Sequence, residues 1–128
     1  MNRAFSPPTA PAPASSYSQA VEVPANARWL VISGQVGVAP DGKVAAGIEA
    51  QLEQIYTNIA AVLKAGGMDV PDLVKLTVYL LKPEDIAAAR KVRDKHLGGH
   101  KPASTLAIIA ALASPQFLAE VEAIAAKA

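Results

Sequence analysis

Apolar residues recur every three or four positions between Glu49 and Ala65. Leu52, Ile55, Ile59, Val62 and Leu63 fall on one helical face, and Gly66-Gly67 supplies a stop. From Val74 to Leu81 the interval drops to two. Val74, Leu76, Val78 and Leu80 share one face and Lys75, Thr77 and Tyr79 the other, the alternation of a half-buried strand. Pro83 then suits the first turn of a second helix, with Glu84 and Asp85 placed for its dipole. That helix runs to about Leu97 and stops at Gly98-Gly99. Upstream, Tyr17 to Val23 reads as a first strand, Pro24-Ala25-Asn26 as a turn and Arg28 to Val36 as a second strand. In the second, Trp29, Val31 and Ser33 share one face, and Leu30, Ile32 and Gly34 the other. Pro40-Asp41-Gly42 is a turn, followed by a short strand or loop through Val44.

Near the C-terminus, Thr105 to Leu112 is apolar at both alternating sets, which predicts a strand buried on both faces. A turn at Ser114-Pro115 and a strand from Phe117 to Ala125 complete an expected β-hairpin, with Glu120 and Glu122 on the face of Leu118 and Ile124. The predicted order is β-β-(β)-α-β-α-β-β. Two helices against one mostly antiparallel sheet is a two-layer α+β domain. Two layers leave one sheet face open. The strands at Trp29 and Leu106 would expose large apolar patches there, so this face is expected to be an oligomer interface.

The 128 residues are the size of one domain. Residues 1–16, rich in Pro, Ala and Ser, read as an extended arm without regular structure, and 17–128 as a single domain. The formal charge is +1, with Lys and Arg scattered and only two Phe, which argues against nucleic acid as the main partner. There is no Cys, so disulfide and thiol chemistry are excluded. No apolar run is long enough to span a bilayer and the N-terminus lacks a secretory core, so the expectation is a cytoplasmic protein without a membrane partner. Gly34-Gln35-Val36-Gly37 lacks the spacing and following helix of a phosphate loop. His96 and His100 are separated by Gly98-Gly99 and read as surface histidines, with no metal site expected. Lys75 is expected to pack its stem at an interface or to reach solvent.

Six segments carry a resemblance to a known family: Ala10 to Val21 (APAPASSYSQAV), Val31 to Val36 (VISGQV), Gln51 to Gly67, Asp72 to Leu81 (DLVKLTVYLL), Pro102 to Thr105 (PAST) and Val121 to Ala125 (VEAIA). In this order they resemble the RidA/YjgF/Rid superfamily. The resemblance implies a chorismate-mutase-like fold, a homotrimer with clefts between subunits, no cofactor, and hydrolysis of reactive imines and enamines such as 2-aminoacrylate. Such deaminases hold the substrate carboxylate with an arginine in the motif PARST. Here Ser104 stands at that position in one register and Ala103 in the other, and neither is an arginine. The other implied positions are Tyr17, Gly34 within Ser33-Gly34-Gln35, and Glu120, which helps position water. A family asparagine falls at Arg90.

The candidate site is therefore Glu120 as the group acting on water, with Tyr17, Ser33, Gly34, Arg90, Ser104 and Thr105 binding substrate. Arg90 and Arg93 share a helical stripe with Ile86 and Leu97, placed to serve a pocket carboxylate or an intersubunit ion pair. Glu122 is expected to pair with a basic residue. Three functions are compatible with these residues: an imine or enamine deaminase of altered substrate range, a trimer that binds a small metabolite or another protein without turnover, and an endoribonuclease, against which the scattered charge speaks. Arg90 is expected to stand in for the missing guanidinium beside Tyr17, Ser104 and Glu120.

Overall fold

A computed structural model describes residues 1–128. The elements are β1 (Arg3–Phe5), β2 (Ala20–Glu22), β3 (Arg28–Gln35), α1 (Ile48–Ala65), β4 (Leu73–Leu80), α2 (Ile86–Leu97), β5 (Ala103–Ile108) and β6 (Ala119–Lys127). Strands β3 to β6 form one sheet in the order β3-β6-β4-β5. The first two pairings are antiparallel and β4–β5 is parallel. Both helices cover one face, giving the expected two-layer α+β architecture.

The helices form where the periodicity places them. Leu52, Ile55, Ile59 and Leu63 of α1 are buried against Leu76, Val78 and Leu80 of β4 and the small residues Ala119, Val121, Ala123 and Ala125 of β6. Alanines at alternate positions of β6 keep the central strand low under the helices, so larger side chains on α1 fill the layer between them. Helix α2 ends at Gly98 in the left-handed conformation (φ 56°). Pro83 to Asp85 forms a separate 3-10 turn rather than the first turn of the α-helix.

The expected terminal hairpin does not form. Strand β5 stops at Ile108, and β4 lies between β5 and β6. Helix α2 returns the chain beside β4, which makes β4-α2-β5 a parallel crossover unit. β5 is consequently an edge strand, half-exposed rather than buried on both faces. The loop from 109 to 118 then carries the chain across β4. Gln51, buried on α1, holds it there. Its Nε2 donates to the Ala45 and Gln116 carbonyls (3.1 and 2.8 Å), and its Oε1 accepts from the Leu118 N–H (2.8 Å).

The arm also differs from expectation. Arg3–Phe5 pairs antiparallel with β2 in the register Arg3↔Glu22, Ala4↔Val21, Phe5↔Ala20. The prolines begin only at Pro7, so residues 3–5 keep all their N–H donors and can form a ladder. The first strand is correspondingly shorter than Tyr17 to Val23. Ser18 instead ties its start to the head of β5: the Ser18 N–H donates to the Pro102 carbonyl (3.1 Å) and Oγ to the Lys101 carbonyl (2.6 Å). The sheet face opposite the helices is bare. Trp29 is 58% exposed and Val31 76%.

Candidate functional site

The predicted site residues fall on both faces of the sheet, and the alternation of β5 separates Ser104 from Thr105. Ser104 and Leu106 stand beside Leu76 and Val78 in the parallel register, on the helix-bearing face. There, at the sheet edge, they meet α2 and the segment leading into β2. Ala14, Ser15, Tyr17, Arg90, Arg93, Ser104 and Leu106 line a cavity of about 160 Å³. The Tyr17 hydroxyl accepts from the Ala14 N–H (3.4 Å), leaving its own proton to donate.

The two arginines of this cavity differ. Arg93 is buried, its side chain 7% exposed. Its Nε donates to Asp94 Oδ1 at 3.0 Å and its Nη2 to the Ser15 hydroxyl at 3.4 Å. Arg90, one turn earlier, is exposed and pairs with no carboxylate. No lining residue is acidic.

Thr105 faces the other way, where its hydroxyl accepts from Lys75 Nζ at 2.6 Å. Glu120 is paired in register with Tyr79 on that same open face, and a Cβ placed on Gly34 would collide with its carboxylate. Glycine at 34 is what lets the Glu120 side chain lie across β3. Ser33 is exposed beside it. Glu122 accepts from the Tyr79 hydroxyl at 2.6 Å, and this hydrogen bond raises the pKa of the phenol.

The structure thus brings Tyr17, Arg90 and Ser104 together, while Ser33, Gly34, Thr105 and Glu120 lie across the sheet from them within one chain. Arg93 makes its ion pair inside the chain, with its sequence neighbour. Glu122 pairs with a tyrosine instead of a base. Neither histidine is a free surface residue. His96 Nε2 is 2.6 Å from Glu53 Oε2 and its ring stacks on Tyr56, and His100 Nε2 is 2.8 Å from the Leu73 carbonyl. Asp94 and Ser15, which hold Arg93, had a weak sequence signal: an acid next to an arginine on a predicted helix is common, and Ser15 meets it only through the fold.

The sequence profile of the Endoribonuclease L-PSP family matches residues 7–127. The chain belongs to the RidA/YjgF superfamily. A 2-iminobutanoate/2-iminopropanoate deaminase of Mus musculus is 35% identical over 127 residues, covering 98% of this chain and 91% of that one. A RutC family protein of Pyrococcus horikoshii is 37% identical over 120 residues, 92% of each chain. Among solved structures, a Rid family protein of unknown function, YyfB of Yersinia pestis, superimposes with a TM-score of 0.86 at 31% identity, covering 97% of both chains. YjgF of E. coli does so with a TM-score of 0.74 at 30% identity, covering 98% of this chain and 99% of that one. Within this RidA/YjgF chain, no arginine occurs anywhere from Pro102 to the C-terminus, and the guanidinium groups of the cavity come from α2.

Proposed function

We propose that this RidA/YjgF protein hydrolyses small imines or enamines bearing a carboxylate, as a cytoplasmic homotrimer with one cleft at each subunit boundary. The observation that carries the reading is the cavity in which Arg90 joins Tyr17 and Ser104. A guanidinium on that wall supplies the carboxylate contact that an arginine of PARST would otherwise make. Ser104 is small and leaves room for a side chain entering from α2. A deaminase of this superfamily at 35% identity supports the reaction class.

Glu120 acts from the open face of the partner subunit in this reading. Within one chain it cannot meet the cavity across the sheet, whereas a neighbour packing its bare face of Trp29 and Val31 against the β5 edge brings both together. Ser33, Gly34 and Thr105 line the same boundary. Enamines tautomerise to imines. Glu120 of the partner subunit takes a proton from water as the hydroxyl adds to the imine carbon, and passes that proton to nitrogen. It then carries the hydroxyl proton of the resulting carbinolamine to the amine, so that the C=O bond forms as the C–N bond breaks, releasing ammonia and a 2-keto acid. No cofactor is required.

The test is ammonia release from freshly generated imines of several amino acids, measured with the wild type and Glu120→Gln. Turnover of at least one imine, lowered by Glu120→Gln, is expected. Absence of turnover on every imine, with ligand-induced rises in melting temperature, would replace the reading with its alternative, a metabolite-binding trimer. RNA cleavage is disfavoured by a net charge of only +1 with no basic stripe.

A further inference from the structure

We propose that Arg93, held by Asp94, is the fixed carboxylate anchor of this cavity, with Arg90 a mobile second arm, and that the site selects short monocarboxylates over dicarboxylates. The proposal rests on the deaminase reading for its substrate class but not for its geometry.

A guanidinium carries five N–H donors. In Arg93 the Nε edge is occupied by Asp94 at 3.0 Å, and Nη2 reaches Ser15 at a long 3.4 Å. Nη1 makes no hydrogen bond, although the side chain is 7% exposed and lines the cavity. A buried guanidinium pinned on one edge and unpaired on the other presents a preset fork to a planar anion. Arg90 carries the same group on an exposed side chain without a partner, so it gains a fixed position only on binding. The Ser104 hydroxyl, also without a hydrogen-bond partner, and the free proton of Tyr17 supply neutral donors nearby.

Charge and size set the class. Arg90 and Arg93 against Asp94 leave a net +1 from this chain, which a single carboxylate neutralises; a dicarboxylate exceeds it and, in the deaminase reading, also faces Glu120 of the partner subunit. Leu106 and Ala14 provide an apolar wall for a short tail. At about 160 Å³ the cavity lies below the roughly 300–1,000 Å³ of drug-sized sites.

The test uses butanoate and succinate, inert acids of equal carbon count, titrated calorimetrically into the full-length protein. Butanoate is expected to bind more tightly than succinate. Arg93→Lys keeps the charge but loses the fork, and should weaken butanoate by roughly tenfold or more. Asp94→Asn, at an exposed position, should shift the ratio of succinate to butanoate affinity toward succinate by several-fold. A merely structural role for Asp94 would not move this ratio. Wild-type butanoate affinity in a folded Arg93→Lys, or an unchanged ratio in Asp94→Asn, overturns the proposal. If Arg93→Lys does not fold, the Asp94→Asn ratio decides alone. Arg93-dependent binding with no imine turnover would reject the deaminase reading and leave the anchor standing. Turnover with acid binding indifferent to both substitutions would do the reverse.

Discussion

Two side chains decide more of this molecule than their types suggest. Gln51 sits at a helical position where an apolar residue would pack, yet it saturates three backbone groups of two loops. Gln51→Leu conserves volume and leaves all three unpaired, at about 1–3 kcal/mol each when they stay buried. Partial rehydration sets the expected loss at roughly 3–5 kcal/mol, read from urea denaturation. A variant within about 0.5 kcal/mol of wild type would show that the loops repair themselves through water. Gly34 works differently. A methyl there meets the end of a flexible side chain, the Glu120 carboxylate, and not the backbone. Gly34→Ala should therefore keep its melting temperature, and under the deaminase reading imine turnover should fall with the displaced carboxylate. A fall in both, or in neither, contradicts this account. Ser104 belongs to the same scale: under the deaminase reading it stands where an arginine of PARST would make a bidentate contact, one that contributes roughly 1.5–3 kcal/mol. Under the deaminase reading, in which the guanidiniums reach the cleft from α2 instead, turnover of 2-aminoacrylate should lie about ten- to a hundredfold below that of an arginine-bearing relative.

At the level of elements, the two helices are clamped through Glu53 of α1, which accepts from Lys95 (2.8 Å) and meets His96 (2.6 Å), both on α2. The hydrogen bond from Lys95, followed by that from His96, lowers the Glu53 pKa below its ordinary 4.5. Tyr56, stacked on His96, is buried, and this desolvation raises its pKa so that the phenol stays neutral. A carboxylate with a depressed folded pKa stabilises the fold above its unfolded value and loses that contribution as pH falls through the folded one. The clamp should thus be fully present above pH 4.5 and weaken below it. Denaturation midpoints of the wild type and Glu53→Gln should converge on acidification through this range. Parallel curves would assign the acid sensitivity to other carboxylates. Glu53 is partly exposed, and the effect is correspondingly small.

For the whole molecule, the bare sheet face is the dominant feature. Trp29 and Val31 stand exposed on β3, and Ile124 lies beside Val31 in the register. Under the trimer reading this face packs against a neighbour, and light scattering at micromolar concentration should give three times the 13.2 kDa of the chain. Val31→Glu, which puts a charge on an apolar interface, should yield folded monomers without imine turnover, because Glu120 and the Arg90 cavity then no longer meet. Monomers retaining full turnover would show that the two half-sites never needed each other.

Local patterning alone is enough for most of the elements and for the layering. Periods of two and of three to four, with glycine and proline stops, are local consequences of backbone geometry, and they located α1, β3, β4 and the end of α2 within a residue or two. They also marked which face of β4 is buried. Strand order was a different matter. Thr105 to Leu112 and Phe117 to Ala125 read as hairpin partners because they are adjacent and apolar, but pairing is chosen by burial across the whole sheet. Alanine-rich β6 fits the centre, between β3 and β4, and α2 carries β5 to the edge. The short β1–β2 pairing was hidden for another reason: a three-residue strand has no period of its own. The candidate site divides likewise. The resemblance named Tyr17, Arg90, Ser104 and Glu120 individually. The pairing register placed the first three on one face and Glu120 on the other, because Ser104 stands beside Leu76 and Glu120 beside Tyr79, which point to opposite faces of β4. The burial of Arg93 against Asp94 and Ser15 also came from packing alone: a helical stripe gives direction around the axis, but not what the chain places opposite it.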